Sequence, residues 1–246
     1  LVLPLSFSRL SPMPTSIAVI VGGTNEPSNS NVMADAFIEG MKRVPDVTIE
    51  KIRLKDAKIE HFTLEYYHEV CTTKDDFCRI QDIVIKASGV VIASPVWNFS
   101  VPAHLKNFID RLGAFALDEA THSKGQLKAK PFAFLYTGGA PMIAWKALLY
   151  LTTLHMTEAI KYYGGTVLYR HFEPKSLPGR GQFGLVIDKR PASLDLMRRK
   201  GEWFAKVAVA YAQTGTLPLG TRIGYQVFSF LYRVGNRIMY PISKMQ

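Results

Sequence analysis

Three stretches collect residue types suited to holding an anion beside a flat ring. The first, GGTNEPSNSN at 22–31, lies between a β-branched apolar run and a helix-like stretch. Glycines let backbone approach a ligand closely. The hydroxyls and amides of Thr24, Ser28, Ser30 and Asn31 add neutral donors where the unpaired N–H groups of a following helix favour negative charge. Such a set suits a phosphate monoester. It is neither a Walker A loop, since no Gly-Lys-Ser/Thr closes it, nor a Gly-x-Gly-x-x-Gly dinucleotide loop. An ordinary turn with Ser30 or Asn29 as N-cap fits the same letters.

The second stretch, ASPVWNFSVPAHLKNFIDRL at 93–112, follows a buried-type strand with Pro95, Val96, Trp97 and Asn98 and then an amphipathic helix. An aromatic ring there can cover a heterocycle, and irregular backbone can bind its heteroatoms. Local packing is the alternative for Trp97 and Phe99. The third, FLYTGGAPMIAW at 134–145, brings Thr137, Gly138 and Gly139 to a strand end. Close backbone approach or a simple left-handed turn would each use those glycines.

The elements that must position these loops alternate along the chain. Strand patterns fall at 16–21, 47–54, 89–94, 131–137 and 165–170, three of them apolar enough to be buried on both faces. Helical patterns fall near 31–43, 75–88, 102–115, 141–162 and 191–213. Strands separated by helices pair in parallel through right-handed crossovers, so the expected fold is α/β, an open doubly wound sheet of five parallel strands with helices on both faces. Ligands bind such sheets at the carboxyl ends of the strands, where all three loops fall.

Composition narrows the classes. The 246 residues suit one α/β domain with additions, and no run approaches the roughly 18 apolar residues of a membrane span. The net charge of +10 favours an anionic partner without choosing one. Cys71 and Cys78 are the only cysteines, too few for a disulfide framework or, within one chain, an iron–sulfur cluster. They read as incidental or buried thiols in a reducing compartment. His61 and His68 have no partner pattern, so no metal site is expected. Nucleic-acid motifs are absent and nucleic acid is not expected as a partner.

On these motifs the chain resembles the flavodoxin-like NAD(P)H-dependent FMN reductase and quinone reductase family, from the first strand to about residue 212. GGTNEPSNSN is similar to the family's Gly-Ser-x-Arg-x-x-Ser phosphate loop. SPVWNFSVPAHLKNFIDR is similar to its Ser/Thr-Pro-x-Tyr-x-x-Ser-x-Pro-x-x-Leu-Lys-x-x-Ile-Asp segment. The resemblance implies a three-layer flavodoxin-like domain that binds FMN and NAD(P)H. Thr24, Ser28, Ser30 and Asn31 would hold the phosphate. Pro95, Val96, Trp97 and Asn98 would meet the isoalloxazine ring, largely through backbone atoms, and Thr137, Gly138 and Gly139 would close its other edge.

By the same resemblance no side chain is catalytic. Hydride would pass from NAD(P)H to FMN N5 and on to a quinone, flavin or similar small-molecule electron acceptor, by ping-pong turnover. Lys106, Asp110 and Arg111 would be structural. The family's phosphate-loop arginine falls near Asn25 or Glu26 here and is missing. Arg170, Lys175 and Arg180 could reach a nicotinamide nucleotide's phosphate, although a solvated loop fits them as well. A non-enzymatic FMN electron carrier and a flavin-free interaction module share the fold and stay open, as does a homodimer or tetramer.

Residues 1–15 read as a flexible tail, 16–213 as the FMN-binding domain and 214–246 as a basic amphipathic extension. Within 217–246, apolar Ile223, Val227, Leu231 and Val234 recur at helical spacing opposite Arg222, Gln226, Arg233 and Arg237. Docking on its own domain, packing on another subunit and peripheral membrane contact all fit. The protein is expected in the cytoplasm, with membrane association left open.

Overall fold

The computed structural model describes residues 15–68, 71, 75–120, 122–179, 181–220 and 222–223. Five strands, β1 (Thr15–Val21), β2 (Val47–Arg53), β3 (Gly89–Pro95), β4 (Pro131–Thr137) and β5 (Thr166–Glu173), form one sheet. All adjacent pairs are parallel, in the order β2-β1-β3-β4-β5. This is the flavodoxin-like doubly wound sheet, whose winding reverses between β1 and β3. The three central strands are the apolar ones, and β3 and β4 are buried at every position.

Helices α1 (Asn29–Met41) and α5 (Pro191–Thr214) cover one face, sealing a core that includes Val19, Phe37, Met197 and Phe204. On the other face α2 (Phe77–Lys86), α3 (Ala103–Ala116) and α4 (Leu154–Tyr162) bury Ile80, Leu105, Phe108 and Ile160 against Ile92 and Phe134. Helices α1 and α5 cross through two glycines. A Cβ on Gly40 would collide with the Arg198 carbonyl, and one on Gly201 with the Phe37 carbonyl.

Three expectations change. The single helix read over 141–162 is interrupted: turns at Met142–Ala144, a π-helical turn at Trp145–Leu149 and a turn at Tyr150–Thr152 precede α4. The Thr153 hydroxyl donates to the Tyr150 carbonyl at 3.3 Å, a local bond that competes with the helical ladder. Trp145 is drawn inward to stack on Phe172 at 4.2 Å between ring centroids. Strand β5 runs on to Glu173 despite its polar letters, because it is an edge strand held by register with Tyr136 and Thr137. Cys71 and Cys78 are joined in a disulfide, with Cα atoms 5.3 Å apart, and are not separate thiols.

Arg111 is structural. Its guanidinium donates to Asp75 at 2.5 Å, with both side chains fully buried, and lies 3.5 Å from the Tyr66 ring centroid. Asp75 also accepts the backbone N–H groups of Glu60 and Phe77. Lys106 pairs with Asp110 on the helix surface. Residues 1–14 of the expected tail and 224–246 of the expected extension lie outside the described residues; α5 ends at Thr214 with Gly215 as its left-handed cap.

Candidate functional site

The first loop leaves β1 at Gly22 and enters α1 at Asn29. Ser28 is the N-cap, its Oγ accepting the Asn31 N–H at 3.3 Å. The helix therefore starts two residues earlier than the pattern implied. Ser28 and Ser30 are buried and their hydroxyls lie 3.1 Å apart. Gly23 is buried beside them; a Cβ there would come within 2.5 Å of Ser30 Oγ, 2.9 Å of Ser28 Oγ and 3.3 Å of Pro95 Cδ. The glycine thus lets the two hydroxyls pack against backbone at the helix start.

The second loop is a tight hairpin. Trp97 and Ser100 exchange backbone hydrogen bonds of 2.7 and 2.9 Å around Asn98 and Phe99, which have φ of 49° and 66°. Left-handed geometry at both central residues is the hairpin turn usually served by Asn-Gly. Asn98 suits it, whereas Phe99 is strained there and stands 68 % exposed at the tip. The Val96 N–H is taken by the Thr137 carbonyl at 2.7 Å, joining the second loop to the third.

In the third loop Gly138 and Gly139 do not adopt left-handed backbone. Their missing side chains make room for protein: a Cβ on Gly138 would press on Phe172, and one on Gly139 on Leu177. The Gly138 N–H donates to the Glu173 carbonyl at 3.1 Å, and the Ser176 N–H to the Gly138 carbonyl at 2.9 Å. Burial would raise the Glu173 carboxyl, but hydrogen bonds from His171, Arg190 and Ser193 outweigh it and hold the group below its ordinary range. A pinned carboxylate thus anchors the strand end that carries this loop.

A fourth wall, residues 174–187, comes from beyond β5. Asn29 fastens it. Asn29 Nδ2 donates to the carbonyls of Ser176 (3.0 Å) and Gly184 (2.8 Å), while Oδ1 accepts the N–H groups of Val186 (2.9 Å) and Ile187 (3.1 Å). Two donors facing carbonyls and one oxygen facing amides fix the orientation of the carboxamide.

The four walls enclose a cavity of about 540 Å³. Of the residues singled out in the sequence, it brings together Ser28, Ser30, Pro95, Val96, Trp97, Asn98, Thr137, Gly138 and Gly139. Thr24 is exposed and outside the lining. Asn31 is also outside it; its side chain donates to Asp35 at 3.2 Å. The lining adds Asn25, Asn29, Ser176, Leu177, Phe183 and Gly184. Gly179, Gly181 and Gly184 around an exposed aromatic were the available signal for that wall. Its basic letters had drawn attention instead, yet Arg170 lies over the Tyr150 ring at 3.8 Å, and Arg180 lies outside the described residues.

Among the described residues the lining holds no Lys, Arg, His, Asp or Glu. Two cations at the end of β2 and just after it, Arg53 and Lys55, are turned to Glu26 of the first loop, whose carboxyl is held below its ordinary range by hydrogen bonds from Lys55 and Arg53. An anion in this cavity would thus meet helix-start amides and hydroxyls, and an apolar ring would meet Trp97, Leu177 and Phe183. Among the described residues no three His, Cys, Asp or Glu side chains converge as a metal site would require. No helix among them is long and apolar enough to cross a membrane.

Comparison with known proteins bears on the family and the fold. The model of a family described as NADPH-dependent FMN reductase matches residues 15–163. An iron–sulfur flavoprotein of Archaeoglobus fulgidus is 28 % identical over 96 residues, covering 38 % of this chain and 43 % of the relative. The chain thus matches less than half the length of that curated relative. An NAD(P)H:quinone oxidoreductase from Methanothermobacter marburgensis superposes with a TM-score of 0.61 at 17 % identity, covering 76 % of this chain and 94 % of the other. An FMN-dependent NADH-azoreductase from Bacillus anthracis, solved in complex with FMN, gives 0.56 at 17 %, covering 78 % and 98 %. At such identities the structural matches establish the shared fold.

Proposed function

Because the chain belongs to the NADPH-dependent FMN reductase family, we propose that it is an FMN-dependent oxidoreductase carrying hydride from NAD(P)H to a quinone, flavin or similar small acceptor. FMN and a nicotinamide nucleotide are the cofactors of its family. The observation that carries the assignment to this cavity is the cradle at Gly23. There two serine hydroxyls of the lining pack against bare glycine backbone at a helix start, and a single methyl would push them aside.

In this reading Ser28, Ser30 and the first amides of α1 hold the phosphate. Asn31 contributes its backbone N–H to the Ser28 cap and leaves its side chain on Asp35. Thr24, exposed at the loop's edge, completes the phosphate set only through solvent. Since the N–H groups of Val96 and Trp97 are committed within the protein, the ring edge is met by the Trp97 indole, by Asn98 and by the backbone of Gly138 and Gly139. The lining carries no charge among the described residues, which leaves the choice of acceptor to shape and stacking. When bound, FMN supplies a two-electron centre that the nicotinamide and the acceptor address in turn, hence ping-pong kinetics.

The flavin-binding unit runs one residue further at each end than the expected 16–213, because Thr15 pairs in β1 and Thr214 ends α5; residues before it form a tail, and those after it an extension that serves docking, self-association as a dimer or tetramer, or contact with an anionic membrane surface. Four basic and no acidic residues in 217–246 support the last two uses as much as the first.

Initial-rate measurements with NADPH and a soluble quinone test the reading. Parallel double-reciprocal lines are expected. Intersecting lines would contradict ping-pong turnover, and no NADPH oxidation by the FMN-loaded protein would contradict the enzyme itself.

A further inference from the structure

Among the described residues the cavity lining holds no cation, while Gly23, packed against the lining's Ser28 and Ser30 hydroxyls, offers an amide beside it. Gly23 is buried, and among the described residues its N–H donates to no protein acceptor. An unmet buried donor costs free energy unless a ligand or water answers it. The other end of the same peptide unit is the Gly22 carbonyl, and it receives the His104 ring: Nε2 lies 2.6 Å from Gly22 O. A carbonyl only accepts, so Nε2 carries the hydrogen whichever way the rest of the ring is protonated.

The preceding peptide unit, Val21–Gly22, is held as well, because the Gly22 N–H donates to the Ala93 carbonyl at 2.8 Å. Little room is left to shift it. A Cβ on Gly22 would lie 3.0 Å from Leu105 Cδ2 and 3.3 Å from Ser94 Oγ. His104 sits in the first turn of α3, so this contact ties the helix of the second loop to the glycines of the first.

A hydrogen bond to a peptide carbonyl polarises the unit and strengthens its N–H as a donor. We propose that His104 is a positioning residue for phosphate binding, which orients and polarises the Gly22–Gly23 peptide so that the Gly23 N–H serves the anion in place of a charged side chain. The proposal rests on FMN occupying the cavity. Neither Gly23 nor His104 is in the cavity lining: Gly23 lies directly behind the lining's Ser28 and Ser30, and His104 acts through the peptide and not by contact.

The test compares FMN with riboflavin, which has the same ring and no phosphate. Binding of each to flavin-free wild type, His104→Ala and His104→Gln is followed by quenching of flavin fluorescence. His104→Ala is expected to weaken FMN roughly tenfold, the size of one strengthened hydrogen bond, and to leave riboflavin unchanged. His104→Gln, which keeps a donor, should recover part of the loss. Equal weakening of both flavins, or no change in either, would overturn the proposal; riboflavin binding doubles as the check that the variant is folded. Wild type that fails to bind FMN would overturn the underlying reading first, and wild type that binds FMN no better than riboflavin would overturn the phosphate cradle.

Discussion

The side-chain oxygen of Asn29 accepts the backbone N–H of Ile187 at 3.1 Å, fastening the first turn of α1 to a segment 158 positions later in the chain. With its three companion bonds, this contact makes one carboxamide the hinge pin of the cavity's fourth wall. Replacing it leaves two carbonyls and two amides without their partner. Asn29→Ala is expected to cost about 2–3 kcal/mol, read by urea denaturation, and to weaken FMN binding as the wall loosens. Unchanged stability would contradict the pinning role.

Gly23 gives the sharpest steric prediction. Gly23→Ala places a methyl 2.5 Å from Ser30 Oγ and 2.9 Å from Ser28 Oγ, inside the cradle. The variant should fold, since the two hydroxyls can turn aside, but FMN affinity should fall by about 100-fold or more, in line with the loss of several ligand hydrogen bonds. Equilibrium dialysis against FMN reads this directly. Affinity equal to wild type would mean the phosphate sits elsewhere.

Gly201 makes the corresponding prediction for the fold. A Cβ there meets the Phe37 carbonyl, which belongs to rigid helical backbone and cannot turn aside. Gly201→Ala should therefore lower stability by about 2 kcal/mol or more through separation of α1 and α5. A melting temperature within a degree of wild type would contradict that close crossing.

Acid should destabilise the protein through Asp75 and Glu173. Burial opposes ionisation at both, but Asp75 is held below its ordinary value of 3.8 by hydrogen bonds from Arg111 and from two backbone amides. Glu173 is held below 4.5 by His171, Arg190 and Ser193. A carboxyl with a lowered folded-state pKa contributes stability that is present above its unfolded value and lost as pH falls through the folded one. Stability should thus be flat near neutrality on account of these groups and drop below about pH 4. Asp75→Asn should flatten that decline while lowering stability at pH 7 by about 3–5 kcal/mol, because the buried Arg111 loses the Asp75 charge. A decline identical to wild type would remove Asp75 from the explanation.

The strand and helix order was legible because the three central strands are near-continuous apolar runs, while α1, α3 and α5 carry an apolar stripe. The break before α4 was not, since it depends on Thr153 bonding back to Tyr150 and on Trp145 finding Phe172 from another strand. In the cavity, the three strand-end loops were legible from glycines and hydroxyls that follow apolar strands. The fourth wall was hidden because Asn29 reads locally as a helix cap, and its partners lie more than 145 positions away. The disulfide was hidden for a similar reason: two cysteines seven positions apart specify no pairing until the loop between them closes.

The central claim is that FMN sits in this cavity and takes electrons from a nicotinamide. Its most direct measurement is the visible absorption spectrum of the protein reconstituted with FMN and freed of excess, recorded anaerobically before and after NADPH. Retained oxidised-flavin bands that bleach on NADPH are the predicted result. A protein that retains no flavin, or whose bound flavin stays oxidised under NADPH and NADH alike, would contradict the account.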